Sequence, residues 1–597
     1  MAFWRGLLAV ATMALPNSSP TFRFADFELD IAAYELRRNG QPVRLERRPM
    51  DLLILLLERR RQLVSRSEIA ERLWGPGVFV DVETGVNTAI RKVRQALQDP
   101  SEAPVFVETV PSKGYRFIAD VGVASPSLQE PLARITLAVL PFENLGADPE
   151  REYLADGLTE ETIASLGQID PERLSVIGRT SVMTYKRTNK TLAEIGRELG
   201  AAYLIESSVR AEGTHLRITA RLIRVQDQVQ MWSASYDSEP SSLFAFQREL
   251  SMAIAEQIRL RLSPERLTAI SRPKTRDPEA YDFYLRGRYF WNQLSPATTR
   301  RAMEYYARAT ERDPEYALAW SGMADAYASS PITADQAPLR MAPQARDAAA
   351  RAIAADPNSP DTQTSIGLVK LWFDWDWLAA ETAFHKAIAL DPSYSMAYRM
   401  LGIVEAHMAK HEEASSAIRR ARELDPLSAA HHALSAQVAF AARDFSAAVQ
   451  FAQQATSIDP EFWVGHFQLG QAQLELGNTD LAFEALNNAS RFSGGNSKPT
   501  AMRGYLFAKL GKSKEAQDVL TTLEAVSRER YIPPFAFAVV HAGLSQRDEA
   551  FEWLERAYAA RDVHLMFLPI DAKWDPFRSD PRFQDVLARC GFAKRDS

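Results

Sequence analysis

Apolar positions between Thr84 and Leu97 recur at helical spacing. At about 100° per residue, Val86, Ile90, Val93 and Leu97 fall on one stripe. The opposite side carries Thr84, Thr88, Arg91, Lys92 and Gln95, with Asn87 and Arg94 on its flanks. This pattern predicts an amphipathic helix, with Thr84 as a candidate cap. Residues 105–117, VFVETVPSKGYRF, then predict a two-stranded ribbon that turns at Ser112-Lys113-Gly114. Upstream, Pro49 to Arg60 predicts a helix of core residues, with proline at a natural first-turn position. Ser65 to Trp74 predicts another, with Ser67 as its N-cap and Ile69, Leu73 and Trp74 facing inward. Gly75-Pro76-Gly77 breaks the chain. Phe22 to Leu45 alternates as strands do, and Asn39-Gly40 marks a hairpin. The order is strands, three helices, hairpin.

The outer face of the third helix is made of cations and amides, the residue types that read base edges in a DNA major groove. An ordinary surface helix with a solvated cationic face is the competing reading of the helix alone. Context favours the first. Residues 20–120 resemble the OmpR/PhoB-type winged-helix effector domain, also found in CadC-like regulators. The matching pieces are the strand platform, SRSEIAERLWG, VNTAIRKVRQAL and ETVPSKGYRF. The resemblance implies that the third helix enters the major groove and that the wing touches backbone or minor groove. By position it assigns Asn87 and Lys92 to base edges. Thr88 lies on the same outer face. Arg91, Arg94, Lys113, Tyr115 and Arg116 fall at phosphate or wing contacts. For Tyr115 the alternative is a ring that only closes the small core. Ala89 stands where many relatives carry a polar phosphate contact. Gly114 is expected to let the wing turn.

A second region, 134–264, is predicted as an α/β layer. ITLAVLPF reads as a buried strand, Tyr153 to Leu166 as a helix, and LSVIGR as a strand. Leu192 to Leu199 follows as a helix and AAYLIESSVR as a strand. HLRITARLIRV and VQMWSASY read as an antiparallel pair, and Leu243 to Leu262 as a closing helix. On AVLPFENL, YLADGLTEE and YLIESSVR it resembles the TolB N-terminal-like domain, which implies an interaction or sensing module without catalytic residues. Asp156, Glu160 and Glu161 are read as a solvated helix face.

The third region repeats. Asp-Pro occurs at Asp313, Asp356, Asp391, Asp425 and Asp459, in steps of 43, 35, 34 and 34 residues. Ala309, Ala352, Ala387, Ala421 and Ala455 stand four positions before each Asp, and Ala302, Ala345, Ala380, Ala414 and Ala448 seven before those. A period near 34 with paired alanines is the tetratricopeptide (TPR) signature. Small side chains seven apart let a neighbouring helix approach closely. Each Asp is expected to cap the next helix. Trp320, Tyr398 and His466 take the large-residue slot, and Leu401-Gly402 and Leu469-Gly470 the leucine–glycine pair. About eight units are expected over 277–560, followed by a capping segment, 561–597. The long first step is assigned to a loop, Ser329 to Arg340. The aromatic run Trp372 to Trp377 is read as a local staple rather than a ligand anchor. Such a solenoid offers a groove for a protein or peptide.

At 597 residues the chain needs several cores, and its net charge of −6 confines any DNA contact to the N-terminal domain. One cysteine, Cys590, excludes an intrachain disulfide and a cysteine-based metal site. Gly511-Lys512-Ser513 lacks the earlier glycine of a phosphate loop. His407 and His411 find no third ligand. No catalytic residue, metal or cofactor is expected. Phe3 to Leu15 resembles a short signal peptide but is too short to span a bilayer, and 1–19 is read as an extension. Residues 121–133 are read as a linker without a membrane span. The chain is read as a cytoplasmic one-component regulator without a receiver domain. It binds double-stranded DNA, with dimerisation on DNA part of the same expectation, and it receives a protein or peptide signal. The alternative is a TPR scaffold whose winged helix serves protein–protein contact.

Overall fold

The computed structural model describes residues 21–592 except 32–33, 39–40, 76–81, 125–133, 147, 149–150, 213–214, 239–242, 259–273 and 294–295. The N-terminal stretch, the Asn39-Gly40 turn, Pro76-Gly77, most of the linker and the end of the expected helix at Leu262 lie outside the described residues. The chain forms two compact units, Met1–Ala133 and Arg134–Ser597.

The first unit opens with β1 (Thr21–Phe24), β2 (Phe27–Asp30), β3 (Glu35–Arg38) and β4 (Gln41–Val43). Three helices follow: α1 (Arg47–Glu58), α2 (Arg66–Trp74) and α3 (Val82–Leu97), with the short β5 (Val64–Ser65) before α2. The wing is β6 (Val107–Val110) and β7 (Gly114–Phe117). β8 (Gly122–Ala124), inside the stretch read as linker, returns to pair with β1, giving the order β4-β3-β2-β1-β8. The second sheet runs β5-β7-β6. This is the expected winged helix-turn-helix order.

Two caps differ from expectation. Ser65, not Ser67, caps α2. Its hydroxyl accepts from Glu68 N–H while the Glu68 carboxylate accepts from Ser65 N–H. The S-x-x-E spacing closes a reciprocal box, which Ser67, already inside the helix, cannot make. The Ser65 N–H, and the Ser65 hydroxyl, which also donates to Glu68 Oε2 at 2.7 Å, hold the Glu68 carboxyl below its ordinary range. Thr84 is not a cap either. α3 starts at Val82, and the Thr84 carbonyl accepts an in-helix bond from Thr88 Oγ1 at 2.8 Å. Val86, Ile90, Val93 and Leu97 are buried as the stripe requires, together with Ile54, Leu57 and Ile69 from α1 and α2.

The second unit joins the α/β layer to the solenoid over a continuous apolar core. Its strands are β9 (Ile135–Val139), β10 (Glu143–Asn144), β11 (Leu174–Val176), β12 (Tyr203–Glu212), β13 (His215–Arg224) and β14 (Val229–Ser238). The sheet order is β11-β9-β12-β13-β14, with β10 beside β12. Its helices are α4 (Glu152–Gly167), α5 (Arg179–Met183), α6 (Leu192–Glu198) and α7 (Leu243–Gln257). The carboxylates on α4 are not a solvated face. Asp156 is buried and pairs with Lys186. Glu160 takes Arg179 at 3.3 Å, Asn292 at 3.1 Å and a further ion pair from Arg288. Burial alone would raise the Glu160 carboxyl. Arg288 and Arg179 outweigh it and hold the carboxyl below its ordinary range. Arg288 and Asn292 belong to the solenoid, so α4 is turned toward that partner rather than toward water.

Among the described residues the solenoid comprises eight helical pairs, from Pro278–Trp291 to Arg547–Ala559. It is a TPR array. Ala302, Ala309, Ala345, Ala352, Ala380, Ala387, Ala414, Ala421, Ala455, Ala482, Ala489, Ala550 and Ala557 are all 0% exposed, as close helix approach demands. The aspartates act differently from expectation. Asp277 does cap its helix, with Pro278 first in it. Asp356, Asp391 and Asp459 instead end the preceding helix, and each accepts the N–H two residues on, at 3.0, 2.8 and 3.0 Å. The next helix starts four residues after the Asp, too far for the aspartate to reach its first turn. The large-residue slot tightens the same turn: Trp320 Nε1 donates to Pro314 O at 2.8 Å, and His466 Nε2 lies 2.8 Å from Pro460 O.

Ser329 to Arg340 is not a loop. Helix Ala317–Ala334 continues through Pro331, and Pro338–Ala355 begins after a three-residue turn. Hydroxyls of Ser329, Ser330 and Thr333 bond carbonyls one turn back, so extra length lengthens the hairpin rather than breaking it. Its tip reaches the seventh pair, where Asp335 accepts from Ser497 N–H at 2.8 Å and from Arg530 at 2.9 Å. The aromatic staple is also long-range. Trp377 Nε1 donates to Cys590 O at 3.1 Å, and its ring stacks on Phe592 at 4.5 Å.

Candidate nucleic-acid interface

The outer face of α3 carries Thr84, Asn87, Thr88, Arg91 and Gln95, all exposed, while its inner stripe is anchored in the core. Neither Arg91 nor Lys113 makes an ion pair or a side-chain hydrogen bond among the described residues. The other predicted cations are engaged. Lys92 Nζ lies 2.6 Å from Glu46 Oε1. Arg116 lies 3.4 Å from Glu108, both on the wing. Arg94 Nη2 donates to Val107 O at 2.6 Å and to Thr109 Oγ1 at 3.0 Å, tying α3 to strand β6. Residues 20–120 hold sixteen Lys and Arg against fifteen Asp and Glu. Any attraction for a polyanion therefore comes from where these charges sit, not from their sum.

Tyr115 is 3% exposed, and its ring belongs to the core. Its hydroxyl nevertheless reaches the rim and donates to Asn87 Oδ1 at 2.9 Å. Arg66 completes the group: its guanidinium lies over the Tyr115 ring, 5.3 Å from the centroid, and donates to Asn87 Oδ1 at 3.2 Å. Asn87 Oδ1 is thus occupied, which leaves the amide N–H groups to face outward. Ala89 is 5% exposed and faces the core, so that position offers no surface for a phosphate. Gly114 is required both by its backbone, with φ +154° directly after the turn, and by closeness. A Cβ there would lie 2.0 Å from Val64 O, across the β5–β7 pairing.

The structure also brings in residues that the sequence reading did not name. Buried Asp99 accepts from the N–H groups of Val105, Phe106 and Val107, at 2.6, 3.1 and 2.8 Å. One carboxylate therefore sets the path from the end of α3 into the wing. Asp99-Pro100 directly after a helix was the available signal. Arg66 and Glu46 had none, since their partners lie 21 and 46 residues away.

Residues 40–117 match the family of the transcriptional regulatory protein C-terminal domain. The N-terminal domain is an OmpR/PhoB-type winged helix. The match includes the whole helix–wing assembly described above. The chain is 24% identical over 420 residues to the transcriptional regulator HilA of Salmonella typhimurium, covering 70% of this chain and 72% of that protein. It is 33% identical over 92 residues to the DNA-binding response regulator MtrA of Mycolicibacterium paratuberculosis, 15% of this chain and 40% of that one. It is 35% identical over 258 residues to "Putative adenylate cyclase 3" of Rhizobium meliloti, and that match spans only 42% of each chain. The activity in that name belongs to that protein. The chain therefore carries the DNA-binding domain of transcriptional regulators together with a TPR solenoid. Among the described residues, no helix is long and apolar enough to cross a membrane.

Proposed function

We propose that this chain is a cytoplasmic, non-catalytic, sequence-specific transcriptional regulator whose second unit receives a protein or peptide signal. The observation that carries the reading is the exposed row Asn87, Thr88 and Arg91 on a helix rigidly held by Arg94 and Asp99 against its wing. In this reading α3 lies in the major groove. Asn87 presents amide donors to acceptor atoms on base edges, because its oxygen is already taken by Tyr115 and Arg66. Lys92 reaches a base edge on exchanging Glu46 for DNA. Arg91, Lys113 and Arg116 meet phosphates. Arg94 and Tyr115 position the helix and wing. Tandem half-sites would be read by two copies.

The test is selection of duplexes from a random pool by the full chain, followed by competition with unselected duplex. A preference that Lys92→Ala relaxes supports the reading. Equal binding to random and selected duplexes overturns it. Capture of a stable protein partner with no DNA retained at moderate salt would favour the scaffold instead.

A further inference from the structure

The face of the solenoid expected to take a partner already holds part of the same chain. After the last helical pair, residues 563–577 form two short 3-10 turns, Val563–Phe567 and Ala572–Phe577. Leu565, Leu568 and Trp574 are 0% exposed. Their surroundings come from the first helices of successive pairs. Phe567 meets His407 of the fourth pair, with ring centroids at 5.5 Å. Ala572 shares one apolar cluster with Ala436 of the fifth and Ala472 of the sixth. Lys573 donates to Gln471 of the sixth at 3.1 Å. Lys498 of the seventh lies 3.9 Å from the centroid of the Phe567 ring, and Trp574 meets Phe535 of the eighth. Stacked helices lie about 8–10 Å apart, so five of them would span roughly 40 Å if flat. The eight residues from Phe567 to Trp574, at about 2 Å each, cover less than half of that. One short segment touches all five because the array curls around it.

This contact is more polar than the packing within the helical pairs. There, buried alanines meet one another and aromatic rings such as Tyr306, Phe384 and Phe440. The wall that faces the segment instead presents a chain of amides, with Gln471 donating to Gln468 at 3.2 Å and Gln468 to Gln437 at 3.3 Å. It also presents aromatic faces, Phe467 and Phe535, and the ammonium of Lys498 over a ring. Within the segment Asp571 pairs with Lys573, and His564 Nδ1 lies 2.8 Å from Asp562 Oδ1, while Asp575 reaches Arg443 of the wall at 2.7 Å. The fit is incomplete. Trp574 Nε1 and His564 Nε2 are buried without a hydrogen-bond partner, as is His407 Nε2 on the wall. Each orphaned group costs about 1–3 kcal/mol. A cavity of about 20 Å³ remains between Phe467, Met502, Phe535 and Phe567.

We propose that the inner face of the solenoid is a peptide-binding site whose resident ligand is the chain's own segment Asp562–Phe577, and that it is released by exchange. An incoming partner must supply the same chemistry: an aromatic and aliphatic segment with a carboxylate placed for Arg443. This deepens the proposed signal-receiving role of the second unit and rests on it. Tethering protects the site, because a segment joined through Ala560-Arg561 acts at a high local concentration. A competitor then faces an apparent affinity lower by about 10² or more.

The test inserts a specific protease site between Ala560 and Arg561 of the full chain, in the turn after the last long helix. The folded protein is cleaved, and a fluorescent peptide of Arg561–Phe592 is added without DNA. The expected result is incorporation of one labelled peptide per cleaved chain, with at least about a hundredfold weaker uptake by the uncleaved chain. A Trp574→Ala peptide should fail to enter. No incorporation while helicity persists overturns the proposal, and so does collapse of the solenoid when the segment leaves. Duplex binding by the same cleaved sample is measured separately, so failure of exchange and failure of the DNA reading are told apart.

Discussion

Replacing Arg94 with alanine separates a residue that holds the interface from one that touches DNA. In the structure the Arg94 guanidinium bonds Val107 O and Thr109 Oγ1, at 2.6 and 3.0 Å. A hydrogen bond from a charged donor contributes about 1.5–3 kcal/mol. Losing about 2 kcal/mol of wing attachment, if fully expressed in binding, weakens duplex affinity roughly 30-fold. The salt dependence should not change, since no phosphate contact is removed. Arg91 is the opposite case. It makes no ion pair among the described residues, so Arg91→Ala should remove one phosphate contact and make the log–log salt slope less negative by about 0.9. Five such contacts, at Arg91, Lys92, Arg94, Lys113 and Arg116, would give about −4.5; with Lys92 on a base edge and Arg94 purely positioning, three remain, or about −2.7. The assay is fluorescence anisotropy with a selected duplex from about 50 to 200 mM salt, a range over which this effect is readily resolved. A slope change of about 0.9 for Arg94→Ala, with the domain's stability intact, would refute the positioning role.

Three further outcomes follow from other contacts. Asp99→Ala leaves three loop N–H groups without their acceptor, and should cost about 3 kcal/mol or more. Chemical denaturation of the first unit reads this, and an unchanged midpoint would contradict it. Gly114→Ala puts a Cβ 2.0 Å from Val64 O. A loss of at least about 1 kcal/mol is expected, roughly 4–8 °C in a domain of this size, visible by calorimetry. Burial pushes the Asp325 carboxyl up to about 7, although Ser365 Oγ donates to it at 2.6 Å. From about pH 4 to 7 the folded state then holds a proton that the unfolded state has lost. Stability falls as pH rises through that window, and the penalty is complete above it. Asp325→Asn should therefore be near neutral at about pH 4 and stabilise above pH 7, by at most about 4 kcal/mol. Urea midpoints measured at both ends of the window check the sign.

Much of this molecule was legible in one dimension. The stripe Val86, Ile90, Val93 and Leu97 is buried, and the paired alanines sit where neighbouring helices touch, because periodicity is a property of the local chain. The outer face of α3 was legible for the same reason. What each outer residue is free to do was not. Arg91, Lys92 and Arg94 look alike in the sequence, yet one is unpaired among the described residues, one meets Glu46, and one is held by the wing. Asp156 and Glu160 read as ordinary surface charges until Lys186 and Arg288 arrive from elsewhere. The C-terminal segment read as a cap, and only the curl of eight helical pairs made it an occupant. Spacing along the chain determines which side of an element is apolar. Which surfaces meet, and which polar groups are consumed when they do, depends on partners tens to hundreds of residues away, and only the folded structure supplies those.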